Sequence, residues 1–231
     1  MSIIVALDPP ARVLNRDRVF EWLRRNIEET RDLVQGFKLG LPLLLAGGVD
    51  SYAYARKLAR DRMIIADLKL ADIGDIMSLS IEYLADIGVD AVIVHSFVGV
   101  KNGLDKALET GRSRGVKIIQ VVSMSHEGSR EFIDSHLREF LEIAKRNSVW
   151  GVVAPATRLD VIRLSREVLG RETKILAPGV GVQGAEPGAA LCAGADYEII
   201  GRAITSSTDP RSRVLEFIER QLKMVRECKT L

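Results

Sequence analysis

Cysteine and histidine are scarce in this chain of 231 residues, and their scarcity narrows the chemistry. There are two cysteines, Cys192 and Cys228, too far apart for a metal-binding pair, and they read as ordinary reduced thiols. The three histidines, His95, His126 and His136, form no His-x-x-x-His pair, which argues against a zinc site. No apolar run approaches the roughly 18 residues that a membrane helix requires. The first residues, Met1-Ser2-Ile3-Ile4-Val5-Ala6-Leu7-Asp8, lack a basic region and read as a strand, not a signal peptide. A cytoplasmic protein is therefore expected. Net charge is only +2, with no long basic run and no aromatic ladder, so neither nucleic acid nor membrane is an expected partner. No linker or low-complexity segment divides the chain.

What is present is an alternation. Short apolar runs at 2–7, 34–39, 63–68, 91–95, 116–122, 149–154, 174–177 and 197–200 read as strands. Amphipathic stretches at 17–31, 49–60, 75–87, 101–113, 129–146, 157–169, 186–193 and 209–227 read as helices. Val19, Phe20, Leu23 and Ile27 recur at helical spacing in the first of these, with Arg and Glu between them. Strict β-then-α alternation predicts a parallel sheet with right-handed crossovers. The expected fold is a single-domain (β/α)8 TIM barrel covering 1–231, with a doubly wound open sheet as the alternative.

In such a barrel the chemistry sits at the C-terminal ends of the strands. Read there, the sequence gives Asp8, Lys38, then Asp67, Lys69 and Asp72, then His95, Ser125-His126, Pro178-Gly179 through Gln183-Gly184, and Gly201-Arg202. Asp67-Leu68-Lys69-Leu70-Ala71-Asp72 carries most information. A buried parallel strand rarely bears charge, because desolvating an unpaired ion costs several kcal/mol or more. Asp67 and Lys69 are two residues apart and share a face of a regular strand. Asp72 lies beyond the strand, in the turn to the next helix.

Lys38, Asp67, Lys69 and Asp72 can form a chain of alternating charge in which each lysine keeps its neighbours ionised and is itself kept protonated. A lysinium so held is a competent general acid near neutral pH. A structural ion-pair network closing the rim is the bland alternative. The segment Pro178-Gly179-Val180-Gly181-Val182-Gln183-Gly184 can wrap an anion with backbone N–H groups, and Arg202 after Gly201 can clamp a phosphate. Loops after strands seven and eight are this fold's usual phosphate site. Ser125 is suited to hydrogen-bonding a polar heterocycle. No triad order is evident, and His126 and His95 read as structural.

These residues resemble the orotidine 5′-monophosphate decarboxylase family. Asp67-x-Lys69-x-x-Asp72-Ile73 is similar to the family signature. So, in family order, are Ala6-Leu7-Asp8, Phe37-Lys38-Leu39-Gly40-x-Pro42-Leu43, Met124-Ser125-His126, Pro178-Gly179-Val180-Gly181-x-Gln183-Gly184 and Gly201-Arg202. The compact length resembles the archaeal branch.

The resemblance implies a homodimeric barrel that decarboxylates orotidine 5′-monophosphate to uridine 5′-monophosphate in pyrimidine biosynthesis, without cofactor or metal. It implies Lys69 as proton donor to C6, Asp67 beside the substrate carboxylate, and Lys38 bridging Asp67 and the ribose. It further implies Asp8 on a ribose hydroxyl and Asp72 contributed across the subunit interface. Ser125 would meet the pyrimidine, Gln183 would close over base and phosphate, and Pro178, Gly179, Gly201 and Arg202 would build the phosphate pocket.

One departure stands out. Where archaeal members often continue Pro-Glu-Thr, this chain has Gly74-Asp75-Ile76, and Ile76 cannot donate the threonine's hydrogen bond. Two other readings compete. One is a Mg²⁺-dependent 3-keto-gulonate-6-phosphate decarboxylase or hexulose-phosphate synthase, which typically has glutamate where Lys38 stands. The other is a phosphate-ligand-binding barrel without turnover.

Overall fold

A computed structural model describes residues 2–10 and 15–229; Met1, which opens the first apolar run, lies outside them. Eight parallel strands close into a barrel in chain order: β1 Ile3–Leu7, β2 Gly36–Gly40, β3 Met63–Leu70, β4 Ala91–His95, β5 Lys117–Val121, β6 Gly151–Val153, β7 Lys174–Pro178 and β8 Tyr197–Ile200. Strand β8 pairs back onto β1, which closes the ring. The expected barrel is therefore the observed one, and the open sheet is excluded.

The helices are α1 Arg16–Thr30, α2 Leu41–Gly47, α3 Val49–Ala59, α4 Gly74–Asp86, α5 Asp105–Arg114, α6 Leu137–Arg146, α7 Leu159–Leu169, α8 Ala189–Ala193, α9 Arg202–Thr205 and α10 Pro210–Lys229. Helix α1 begins where Asn15 accepts hydrogen bonds from the backbone N–H of Asp17 (2.9 Å) and Arg18. The strands are largely apolar because both of their faces are buried, and the charges they carry stand out against that background. Ile4, Ala6, Ile65, Ile93, Ile119 and Ile199 fill the barrel interior. Their neighbours Ile3, Val5, Leu7, Ile64 and Val92 face the helices. Trp150 and Tyr197 stack at 6.4 Å beside that interior core.

Two ion pairs repeat one pattern in the two halves of the barrel. Arg56 of α3 pairs with Asp90, whose carboxylate also accepts from Ile64 N. Arg166 of α7 pairs with Asp196, whose carboxylate accepts from Ile175 N. Each aspartate thus joins the helix before one strand to the start of that strand and of the next. Partly buried pairs with several hydrogen bonds hold geometry better than isolated surface pairs do.

Three expectations need correction. The helix expected over 129–146 begins only at Leu137. Residues 127–136 form two tight turns, Glu127–Arg130 and Asp134–His136, pinned by polar contacts described below. Helices α2 and α9 were not anticipated; Pro42 in the first turn of α2 supplies its start. The cysteines are not free thiols. Cys192 of α8 and Cys228 of α10 form a disulfide, with Cα atoms 6.1 Å apart and a separation of 36 residues. Spacing in the sequence carries no sign that α8 packs on α10, and that packing brings the sulfurs together.

Candidate active site

The C-terminal strand ends surround a cavity of about 500 Å³. Asp8, Lys38, Asp67 and Lys69 line one part of it, Ser125 another, and Pro178, Gly179, Gln183, Gly201 and Arg202 the rest. Every residue to which the family resemblance gives a site role is therefore gathered in one place, except Asp72; His95 and His126 are not among the lining residues.

The charged side is built by β1, β2 and β3. Lys38 Nζ lies 2.8 Å from Oδ2 of Asp67 and 3.5 Å from Oδ2 of Asp8. Lys69 Nζ lies 2.8 Å from Oδ1 of Asp67. Asp67 thus holds one lysine on each carboxylate oxygen, and its side chain is only 9% exposed. Burial pushes the Asp67 carboxyl up, but the attraction of Lys38 and Lys69 outweighs it and holds the group below the ordinary aspartate range. Burial likewise pulls the Lys38 ammonium down, and Asp67 and Asp8 more than offset it, so Lys38 stays protonated. The end of β2 is fixed from behind by Tyr52, whose hydroxyl donates to the carbonyl of Leu39 at 2.9 Å.

Lys69 does not reach Asp67 by regular strand alternation. Ala66 pairs with Val92, but the next partner, of Leu70, is Val94, so β3 bulges between them. Lys69 has φ of 45°, in the left-handed region that costs a lysine about 1–2 kcal/mol. The bulge turns the side chain toward its neighbour and into the cavity mouth, where the side chain remains 36% exposed.

His95 ends β4 close to this pair. It is buried, its Nδ1 has no partner among the described residues, and its ring stands 4.5 Å from that of Phe97. Burial lowers its basicity and Lys69 lowers it further, so the imidazole is neutral near pH 7.

The loop after β7 forms the anion-binding side. Gly179, Gly181 and Gly184 have φ of 110°, 86° and 95°, which side chains rarely tolerate. Ala185 N donates to Gly179 O and Gly181 N to Ala185 O, folding the segment back on itself. Gln183 and the exposed Val182 are carried at its tip. Opposite, Gly201 leads into α9, whose first residue is Arg202.

Sequence reasoning missed the residues behind Ser125. Asp134 accepts from the hydroxyls of Ser123 and Ser129 at 2.8 Å each and pairs with Arg158. Arg158 also donates to Ser123 Oγ at 2.9 Å, and Ser129 Oγ accepts from Met124 N. Burial pushes the Asp134 carboxyl up, yet its bond to Arg158 and the two serines hold it low. This network fixes the backbone immediately before Ser125. Its only trace in the sequence is polarity where an apolar helix face was expected.

Asp72 is exposed, and its Oδ1 accepts from the N–H of Ile73 at 2.7 Å. Beside it lies an apolar surface: Ile73 is 64% exposed and Tyr83 66%, with Ile76, Leu79 and Phe97 also uncovered.

The family model described as Orotidine 5′-phosphate decarboxylase / HUMPS family matches residues 1–217. Orotidine 5′-phosphate decarboxylase of Aeropyrum pernix is 47% identical over 212 residues, covering 91% of this chain and 84% of the relative. That of Pyrococcus furiosus is 40% identical, covering 94% and 96%. Among solved structures, orotidine 5′-monophosphate decarboxylase from Sulfolobus solfataricus superposes with a TM-score of 0.81 at 34% identity, covering 97% of this chain and 99% of that one. The Methanocaldococcus jannaschii enzyme complexed with the inhibitor BMP gives 0.81 at 31% identity, covering 95% and 98%.

Proposed function

The chain belongs to the orotidine 5′-phosphate decarboxylase / HUMPS family and is a carboxy-lyase, and we propose that it converts orotidine 5′-monophosphate to uridine 5′-monophosphate in pyrimidine biosynthesis. The observation that carries this reading is the unbroken Asp8–Lys38–Asp67–Lys69 chain facing a cavity that also holds a glycine-rich loop and an arginine.

The chemistry follows from that arrangement. The C6–carboxylate bond of the pyrimidine breaks, carbon dioxide leaves, and the electron pair stays on C6. The resulting sp² carbanion is poorly delocalised by the ring. Lys69, positioned by its ion pair with Asp67, stabilises that charge and donates a proton to C6. Fixed charge acts most strongly where water is excluded and no reorganisation is needed. The reaction balances without a cofactor.

Lys38 spans Asp67 and the ribose, and Asp8 takes a ribose hydroxyl. Ser125 reads the base, and Gln183 closes over base and phosphate. Pro178, Gly179, Gly201 and Arg202 form the phosphate pocket. Phosphate binding far from C6 supplies the energy that closes the loop over the reacting centre.

The whole chain works as a single catalytic domain, and as a homodimer. The apolar surface of Ile73, Ile76, Leu79, Tyr83 and Phe97 supports a second copy docking there, so that Asp72 enters the partner's cavity. In that position Ile76 contributes apolar contact where a threonine would donate a hydrogen bond. Among the described residues no helix is long and apolar enough to cross a membrane, and a cytoplasmic location fits the reading.

The Mg²⁺-dependent sugar-phosphate branch of the family is disfavoured by Lys38. Its ammonium already stands between Asp8 and Asp67, where a divalent cation would be repelled. Purified protein mixed with orotidine 5′-monophosphate in EDTA tests the proposal. Ultraviolet conversion to the uridine product is expected. No conversion, followed by activity on a sugar phosphate once Mg²⁺ is restored, would overturn it; nucleotide binding without turnover in either assay would point to a binding protein.

A further inference from the structure

Strand β8 carries a charge in an unexpected place. Ile199 points into the barrel, so Glu198 beside it faces the helical layer, where it is fully buried. A buried carboxylate needs several donors. Glu198 has them. Gly188 N–H lies 2.9 Å from Oε1 and 3.0 Å from Oε2, and Gln221 Nε2 donates to Oε2 at 2.7 Å. The Gln221 carbonyl in turn accepts from Ser2 Oγ at 2.9 Å. Among the described residues no basic side chain pairs with the group, and its partners are Gly188 N–H and the Gln221 amide.

What Glu198 holds is the far root of the phosphate loop. That loop leaves β7 at Pro178 and ends at Gly188, just before α8. Gly188 has φ of 92°, and a Cβ there would stand 2.7 Å from Met224 Cβ and 3.1 Å from Gln221 Cα of α10. The chain is therefore pressed against α10 at this point. Four residues later Cys192 is bonded to Cys228 of α10. Three and four residues beyond Glu198, just past the end of β8, stand Gly201 and Arg202, the other half of the phosphate site.

We propose that Glu198 is a positioning residue for phosphate recognition: its buried side chain locks Gly188 to β8, so that the root of the glycine loop is anchored to the strand that leads directly into Gly201-Arg202. Closure is then confined to residues 179–187, with a fixed root at 188. A bound phosphate need not order the root, and more of its binding energy reaches the reacting centre. Glu198 touches no substrate and acts only through Gly188 N–H. This inference rests on the phosphate-ester substrate proposed above.

The test compares a phosphorylated ligand with its phosphate-free counterpart. In Glu198→Gln and Glu198→Leu, kcat/KM for orotidine 5′-monophosphate relative to orotidine should fall at least about tenfold, with the value for orotidine nearly unchanged. Equal loss on both substrates would assign Glu198 a merely structural role and overturn the proposal, as would an unchanged ratio. Gln221→Leu, which removes one donor and leaves the strand intact, reads the same ratio if the Glu198 variants fail to fold.

Binding of uridine 5′-monophosphate against uridine, by calorimetry, gives the ratio without turnover. A wild type that binds the nucleotide and does not decarboxylate would thus sink the proposed activity while still testing Glu198. Hydrogen exchange of the free proteins supplies an arm that needs no ligand. Amides 185–191 should exchange faster in the variants, and unchanged protection there would refute the anchor.

Discussion

Lys69 Nζ stands 2.8 Å from Oδ1 of Asp67, and it arrives there from a left-handed backbone inside a β-bulge. Strain of this kind persists only where surrounding contacts impose it. Here they do, because Oδ2 of the same carboxylate is fixed by Lys38. The ammonium is aimed before any ligand arrives. Lys69→Ala should therefore remove the proton donor and leave the nucleotide pocket in place. Turnover should fall by roughly 10²–10⁴-fold or more, the scale of a lost general acid, while affinity for uridine 5′-monophosphate changes little. Steady-state kinetics beside calorimetry make the comparison, and near-normal turnover would remove Lys69 from the proton-donor role.

Asp67 is the member whose loss should be felt in the fold as well. Asp67→Asn leaves the buried Lys38 ammonium with only Asp8, at 3.5 Å, as a counter-charge. Breaking one partner out of a buried pair typically costs about 3–5 kcal/mol. Denaturant unfolding should show a loss on that scale, together with loss of turnover.

The pH dependence follows in sign. The folded Asp67 pKa is depressed, so its stabilisation is present above the unfolded aspartate value near 4 and is lost as pH falls further. The folded Lys38 pKa is raised, so its stabilisation is complete below about 10.4 and is lost as pH rises through the folded value. Asp67 and Lys38 therefore contribute a flat region between these limits. A stability profile in which substituting either residue produced a slope change near neutrality would contradict the assignment.

The barrel and its rim were legible in the sequence because both rest on local rules. Strands buried on two faces must be apolar, and polar residues at their ends stand out against that background. Lys38, Asp67, Lys69 and Arg202 were visible for this reason. The bulge at Lys69 was not, since alternation assumes a regular strand. Ser123, Ser129, Asp134 and Arg158 were missed because their bonds cross between loops and no periodicity records them. Glu198 was passed over inside an apolar run, although a charge at an outward strand position is itself a signal of a buried partner. The disulfide depends wholly on the packing of α8 against α10.

That disulfide should matter for stability more than for chemistry. It closes a span of 36 residues containing β8, α9 and most of α10. Cross-linking a loop of that size restricts the unfolded chain by about 3–4 kcal/mol in the chain-entropy model. Cys228→Ser, or reduction of the wild type, should lower unfolding free energy by up to that amount and leave kcat/KM at moderate temperature within about threefold. Identical denaturation curves with and without reductant would show that the bridge contributes nothing.

Arg202 should separate binding from chemistry in the opposite sense. It is exposed at the start of α9 and lines the cavity on the phosphate side. Arg202→Ala should weaken recognition of the phosphorylated substrate by about 2–4 kcal/mol, the cost of a lost charge-assisted pair. The expected signature is a raised KM for orotidine 5′-monophosphate and unchanged activity on orotidine. An unaltered KM and kcat/KM would refute its place in the phosphate pocket.

Asp72 calls for an experiment with two kinds of subunit. It stands outside the cavity of its own chain, next to an exposed apolar surface. If it completes the site of a second copy, Asp72→Asn and Lys69→Ala proteins are each inactive for a different reason. Mixing them creates heterodimers in which one of the two sites has Lys69 from one chain and Asp72 from the other. Random exchange between equal amounts puts half of the dimers in that form, so about a quarter of the sites should recover activity. Subunit exchange is confirmed separately with differently tagged chains. Exchange without recovered activity would place Asp72 in the site of its own chain, and would require the loop after β3 to swing inward on binding. A further substitution, Ile76→Asp on the apolar surface, should weaken the dimer and lower activity at dilute protein while restoring it as concentration rises. Activity independent of concentration, with the variant monomeric by sedimentation, would remove the shared site altogether.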